Sequence, residues 1–262
     1  MSGSPEVEQP RRGWLKAAGA SLAGLLLGAC DRLNGSVAVR RTLEGAERLN
    51  FAAQRAVTDR RALAAEFPPQ EISRDFRANG STSPGDADYR ALLAGGFADW
   101  RLAIDGLVER PLSLSLAELR AAPARTQITR HDCVEGWSSI GKWTGARLGP
   151  LLDRAGLKPQ ARFIVFHCYD TLDPNAGANG RYYESLDLVD AYHPQTILAY
   201  AMNDATLPVR HGAPLRLRVE RQLGYKHAKY LRRIEAVADL SKVGGGKGGF
   251  WEDRGYAWYA GI

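Results

Sequence analysis

Two histidines and two cysteines are the residues whose types and spacing could do chemistry. His131 stands two positions before Cys133, and His167 directly precedes Cys168. Structural zinc sites usually carry cysteines two to four residues apart, and adjacent residues of a strand point to opposite faces, so this spacing argues against zinc. A thiolate activated by an imidazole would suit a thiol hydrolase, but the residues flanking Cys133 resemble no such signature. A disulfide between Cys133 and Cys168 stays open for a protein of an oxidising compartment.

Short strands and short helices must position these side chains. Apolar alternation and turn residues predict strands at 100–104, 127–132, 162–167, 214–219 and 234–237. Helical spacing predicts helices at 115–122, at 148–155 with Gly156 as the stop, and a turn of helix from Ser185 to Ala191. The irregular order of these elements predicts an α+β fold, a mixed domain rich in β-sheet with short helices.

The residues around Cys133 resemble a known metal-ligand region. The segment 130–138 (RHDCVEGWS), followed by 142–145 (KWTG), resembles that of sulfite-oxidase-type molybdopterin-dependent oxidoreductases, and further matching blocks lie at 192–196, 211–219 and 224–229. The resemblance spans about residues 97–240. It implies the sulfite-oxidase-type molybdopterin-binding fold, a Mo-molybdopterin cofactor, and Cys133 as the metal ligand and catalytic residue. A thiolate is a soft ligand suited to a metal that also binds dithiolene sulfurs.

The same resemblance implies a set of cofactor-binding residues. By position these are Arg77, Ala78, Cys133, Cys168, His211, Arg216, His227, Ala228 and Lys229. Bacterial methionine-sulfoxide reductase catalytic subunits have Thr and Asn where this chain has Cys168 and His211, and their pterin loop differs from residues 76–80. Arginine and lysine suit the pterin's phosphate. For Arg216 the alternative is a charge at a strand edge that faces solvent.

The charge balance and the first thirty residues bear on partners and location. The net charge is +6, but no run of five Lys or Arg occurs, so we expect no nucleic-acid partner. Arg11 and Arg12 precede an apolar stretch at 17–27 that is too short to span a bilayer, which predicts a twin-arginine signal; a Sec signal is the alternative. The sequence LGAC at 27–30 resembles a lipoprotein cleavage box, which predicts a periplasmic protein anchored to the membrane through a lipidated Cys30. Ordinary cleavage near Ala29 is the other reading.

These features predict four segments and one activity. Residues 1–30 are the signal, 31–96 a helical lead-in and cofactor-covering loop, 97–243 the molybdopterin-binding domain, and 244–262 a Gly-rich and aromatic tail. The expected activity is oxygen-atom transfer with a sulfoxide, sulfite or a similar small molecule. Because the chain has no Cys-x-x-Cys-His haem motif, we expect a separate membrane or periplasmic electron-transfer partner. A metal-free binding protein on the same fold is the alternative.

Overall fold

The computed structural model describes residues 36–262, so the predicted signal and the cleavage box at Cys30 lie outside the described residues. The chain divides into two compact units, 1–56 and 57–262. Among the described residues, no helix is both long enough and apolar enough to cross a bilayer. The α-helices are α1 (Val37–Val57), α2 (Ala87–Ala94), α3 (Leu116–Ala121), α4 (Leu148–Ala155) and α5 (Leu188–Ala191).

Ten strands form two five-stranded sheets in the unit 57–262. They are β1 (Arg101–Gly106), β2 (Leu112–Ser115), β3 (Ala124–Asp132), β4 (Ser138–Arg147), β5 (Phe163–Thr171), β6 (Arg181–Asp187), β7 (Ile197–Met202), β8 (Ala205–Thr206), β9 (Arg216–Arg218) and β10 (Leu231–Val237). The first sheet has the order β2-β1-β10-β5-β6, and the second has β3-β4-β7-β8 with β9 also paired to β7. Within residues 36–262, β1 and β10 are the one parallel pair, and the other strand pairs are antiparallel. The sheet-rich α+β prediction is confirmed.

The apolar core lies mainly on the first sheet and on helix α4. Leu148, Leu151, Leu152 and Ala155 of α4 are buried there, as the helical spacing of these residues requires. A smaller cluster, which contains Phe76 and Trp143, packs beside the second sheet. The larger core holds the first sheet and α4 together, and the smaller cluster borders the hairpin that carries Cys133.

Local sequence signals explain where most of the short helices begin and end. Ser115 and Glu118 form a capping box at the start of α3, and Gly156 ends α4 with φ 71°. The predicted helix start at Ser185 is wrong, because Ser185 lies inside β6 and the carboxylate of Asp187 caps α5 instead. The Asp side chain accepts a hydrogen bond from the Asp190 N–H, which a serine two residues earlier cannot reach.

The glycine-rich segment 244–249 forms a compact turn, where the sequence suggested flexible chain. The Asp253 carboxylate accepts hydrogen bonds from the backbone N–H groups of Gly245 and Lys247, at 2.5 and 2.9 Å, and from the Tyr183 hydroxyl. The aromatic residues after this turn pack back onto the domain, as their cost in water predicts; the Trp258 indole, for example, donates to the Ser185 hydroxyl at 2.8 Å.

Candidate functional site

Cys133 is the first residue of the loop that joins β3 to β4. Its N–H donates to the Trp137 carbonyl at 2.9 Å, and its own carbonyl accepts from the Gly136 N–H at 3.0 Å. Gly136 has φ 84°, a left-handed conformation that side chains rarely adopt, so glycine permits this tight turn. The turn leaves Cys133 partly exposed at the edge of a cavity.

The cavity beside Cys133 encloses about 160 Å³. One part of its lining is polar or charged: Asn79, Ser81, Glu135, Asp170, His227 and Lys229. The other part is apolar or aromatic: Val134, Leu172, Tyr182, Tyr225, Trp251 and Tyr256. Such a lining, apolar with a few polar groups, is typical of sites for small molecules.

Two fully buried arginines on β9 lie over the ring of Trp143. The guanidinium carbons of Arg216 and Arg218 are 4.9 and 4.4 Å from the ring centroid. Arg218 makes two hydrogen bonds to the Glu220 carboxylate, at 2.8 and 2.5 Å, so its charge is balanced inside the protein. Arg216 donates only to the carbonyls of His211 and His227, and its Nε has no partner among the described residues. Arg216 is therefore a buried cation without a carboxylate bonded to it.

His131 and His227 are neighbours, and each ring has one nitrogen without a hydrogen-bond partner among the described residues. Their ring centroids are 5.0 Å apart. Arg218 donates to His131 Nδ1 at 3.0 Å, so a neutral His131 carries its hydrogen on Nε2 and is a donor there. His227 Nε2 donates to the Gln222 carbonyl at 3.0 Å, so its Nδ1 is an acceptor. Both free nitrogens are buried and have no partner within the described part of the chain.

Gly224 leaves a space beside the Nε2 atom of His131 that a side chain would fill. An added Cβ at Gly224 would lie 2.6 Å from His131 Nε2, closer than real Cβ contacts come. Gly224 also lines the cavity beside Cys133. The unpaired donor of His131 is therefore next to the cavity wall.

Lys229 forms hydrogen bonds to the loop that contains Asn79 and Ser81, and all three residues line the cavity. Its ammonium donates to the carbonyls of Asn79, at 2.6 Å, and of Ser81. Asp170 also lines the cavity, and its Oδ1 and the Ser81 hydroxyl are buried without a partner among the residues that the structure describes. Native proteins rarely leave buried polar groups unpaired, so this cluster is suited to a polar ligand.

The positive charges here repel one another. Burial and the neighbouring Arg218 lower the pKa of Arg216 to about 9, and burial and Arg216 lower the pKa of Lys229 to about 7. Burial and the cations Arg216 and Arg210 lower the pKa of His211 to about 4. Lowered pKa values in a group of bases mean that the protein alone supplies too little negative charge, so an anionic ligand would be favoured.

Comparison with known proteins decides the family. The profile described as the oxidoreductase molybdopterin binding domain matches residues 93–243. The chain belongs to this family. YedZ1 of Azospira oryzae, provisionally named a subunit of a protein-methionine-sulfoxide reductase, is 35% identical over 97% of this chain and 89% of its own length. The protein-methionine-sulfoxide reductase catalytic subunit MsrP of Xanthomonas campestris is 37% identical over 55% of this chain.

Two of these matches, MsrP and a solved structure, are partial. The alignment with the Xanthomonas MsrP covers 47% of that protein, so the chain spans about half the length of this relative. The sulfane dehydrogenase SoxCD of Paracoccus pantotrophus superposes with a TM-score of 0.47 and 25% identity over 54% of this chain and 39% of its own. The family match shows that the chain is a molybdenum-dependent oxidoreductase with a Mo-molybdopterin cofactor, as the sequence predicted.

The donor set of this molybdopterin-binding domain fits such a cofactor. Arg216 and Lys229 offer positive charge for its phosphate, and His131 and His227 offer an unpaired donor and acceptor for its polar edges. Cys133 would supply the thiolate, whose pKa is raised chiefly by burial until a metal compensates the charge. Ala228 is buried between His227 and Lys229, and His211 meets Phe76 edge-on at 5.6 Å.

Of the nine residues carried over from the family, only Cys133, His227 and Lys229 line the cavity within the described part of the chain. The Arg77 side chain is 65% exposed, over the ring of Trp137, and the cavity is lined by residues 79–81 instead of Arg77 and Ala78. Cys168 is buried and lines a different cleft, beside His167 and Tyr182. Their contacts with the cofactor stay predictions. Cys133 and Cys168 are both free, so no disulfide joins them. Within residues 36–262, no cluster of side chains suited to bind zinc occurs.

Sequence reasoning missed several residues of the site. His131 lies two residues before the expected metal ligand Cys133, a signal that the predicted set of cofactor-binding residues does not use. The alternation within residues 214–219 gives no sign that Arg218 is buried. Trp251 and Tyr256 were assigned to a tail, and no local pattern could have brought them to a cavity that starts more than a hundred residues earlier.

Proposed function

We propose that the protein reduces an uncharged sulfoxide, such as the methionine sulfoxide side chain. The electrons would come from a separate partner. The reaction converts the sulfoxide, two protons and two electrons into a thioether and water. The names of YedZ1 and MsrP support this direction. The bound cofactor would supply the oxygen-atom transfer itself, and the protein would supply binding and electrostatics.

The charge of the cavity lining carries this proposal. No arginine is among the described residues that line the cavity, and Glu135 and Asp170 are both there. The one lysine, Lys229, directs its ammonium to backbone carbonyls. A site for the sulfite anion would concentrate positive charge where the substrate enters. Here Arg216 and Lys229 would bind the cofactor, and the exposed side chains of the lining are Val134, Glu135 and Tyr256, which suits an uncharged substrate.

The protein's own groups have distinct roles in this reaction. Cys133 would hold the metal, while Arg216 and His227 would bind and orient the cofactor. Burial raises the pKa of Asp170 to about 7, so this carboxyl beside the cavity can exchange a proton near neutral pH.

The decisive experiment compares two reactions of the cofactor-loaded enzyme. We expect the wild type to oxidise a reduced viologen dye when methionine sulfoxide is added, and to oxidise sulfite far more slowly with a ferric acceptor. Cys133→Ala should lose both molybdenum and activity while it keeps the near-ultraviolet circular dichroism of the fold. Faster sulfite oxidation than sulfoxide reduction would refute the proposed direction. Wild type without molybdenum from a cofactor-competent host would favour the binding-protein alternative.

We also propose that the protein is exported to the periplasm and anchored through a lipidated Cys30. The paired Arg11 and Arg12 before a short apolar stretch support the first step, and the small residues before Cys30 support the second. Replacing both arginines by lysine should retain the protein in the cytoplasm. Cys30→Ala should release it into the soluble periplasmic fraction. A fully cytoplasmic wild type would contradict both steps.

A further inference from the structure

One wall of the cavity comes from outside the family domain. The family match ends at residue 243, whereas Trp251 and Tyr256 lie beyond it and line the cavity with Cys133. Their rings stack with centroids 5.3 Å apart and an interplanar angle of 28°, and Tyr256 meets Tyr225 edge-on at 5.2 Å. The common domain thus supplies the metal ligand, and the C-terminal segment 244–262 supplies part of the surface beside it.

Buried ionic contacts hold this wall in place. Glu252, directly after Trp251, accepts a hydrogen bond from the Lys226 ammonium at 2.6 Å, and the same ammonium bonds Glu184 of β6. All three side chains are buried. The Tyr256 N–H donates to the Trp251 carbonyl at 3.0 Å, which closes the short turn between the two rings. The two aromatic side chains are therefore fixed by contacts that do not involve a ligand.

Part of this aromatic wall is exposed to solvent, where a substrate would enter. Tyr256 is 39% exposed and Val134, next to Cys133, is 45% exposed, so two apolar side chains stand at the solvent edge of the cavity. The methylene groups of an alkyl chain are stabilised when they leave water for an aromatic surface. We propose that Trp251 and Tyr256 form the substrate-selecting wall, which binds the alkyl arm of a sulfoxide such as methionine sulfoxide. This inference rests on the proposed reduction of sulfoxides.

Burial distinguishes this wall from the residues that would hold the cofactor. The unpaired buried atoms that fit the cofactor belong to His131, His227, Arg216 and Ser81, all of which are buried or nearly so. Tyr256 and Val134 are open to solvent instead. A cofactor that is loaded once needs enclosed polar partners, whereas a substrate that turns over needs an apolar surface that it reaches from solvent.

The test uses two tyrosines with the same exposure. Tyr192 is also 39% exposed, lies at the end of α5 and does not line the cavity, so Tyr192→Ala is the matched control for Tyr256→Ala. In cofactor-loaded enzyme we expect Tyr256→Ala to raise the KM for a methionine sulfoxide peptide by about fourfold for each methylene that the ring would cover, because burying one CH2 contributes about 0.8 kcal/mol. The kcat and the molybdenum content should change little. Tyr256→Phe keeps the ring and should behave as wild type.

A small substrate separates selection from catalysis. Dimethyl sulfoxide lacks the longer alkyl arm, so Tyr256→Ala should affect its KM less than that of the peptide. Equal KM values for the two alanine variants, in a wild type that reduces sulfoxides, would overturn the wall while the proposed function stands. Loss of molybdenum or pterin in Tyr256→Ala would also overturn it, because the ring would then belong to the cofactor site. A wild type inactive on both sulfoxides refutes the function and the wall together.

Discussion

Lys226 is the residue whose removal tests the structure most sharply. Its ammonium lies between the carboxylates of Glu184 and Glu252, and all three side chains are buried. Lys226→Met keeps the apolar stem and removes the charge, so two buried carboxyls lose the one cation that is bonded to them among the described residues. Breaking a buried ion pair by removing one partner costs about 3–5 kcal/mol of unfolding free energy.

The cost must also depend on pH. Burial and the nearby Glu252 raise the pKa of Glu184 well above its ordinary value, and in the variant no ammonium opposes that rise. A group whose pKa is raised by folding stabilises the protein below its unfolded pKa and loses that contribution as the pH rises through the folded value. The variant should therefore be closest to wild type near pH 5 and furthest from it near pH 8.

Urea unfolding measures both effects. With a denaturant slope of about 3 kcal/mol per molar, the upper range for small proteins, the loss lowers the midpoint by about 1–1.7 M at pH 8. Lys142→Met is the control, because its ion pair with Asp204 is at the surface and should contribute under about 1 kcal/mol. Adding Glu252→Gln to Lys226→Met should restore part of the midpoint. Equal small shifts for Lys142→Met and Lys226→Met, without pH dependence, would refute the buried triad.

Three further predictions follow from single contacts. Ser115→Ala removes the capping box with Glu118, so we expect a loss of about 1 kcal/mol and a melting temperature about 2–4 °C lower, with unchanged molybdenum content. Gly224→Ala places a Cβ 2.6 Å from His131 Nε2, so molybdenum and pterin per chain should fall; an unchanged content would contradict the packing. Folding lowers the pKa of His211 to about 4, so stability is lost as the pH falls from about 6.5 toward 4. His211→Asn should flatten that acid loss in urea titrations of the apoprotein, and an equally steep loss would count against it.

The elements that the sequence predicted well are those with local signals. Helix α4 follows from four apolar residues at helical spacing and a glycine at its end, and the capping box predicts α3. Strand β5 follows from its continuous apolar run, although it extends to Thr171, past the predicted end at His167. The start of α5 was wrong because Ser185 and Asp187 are both capping residues, and β6 pairing takes the first of them into a strand.

The buried arginines of β9 show why a local pattern fails at this site. The alternation of Leu215, Leu217 and Val219 with arginines predicts a strand with one polar face toward water. That face is buried. Trp143 and His131 from the β3–β4 hairpin cover Arg218, and Glu220 balances its charge. Partners 70 to 90 positions away decide this burial, and no window of sequence contains them. The same long-range packing leaves Arg216 without a carboxylate, which is why the position best suited to bind an anion resembles a surface charge in the sequence.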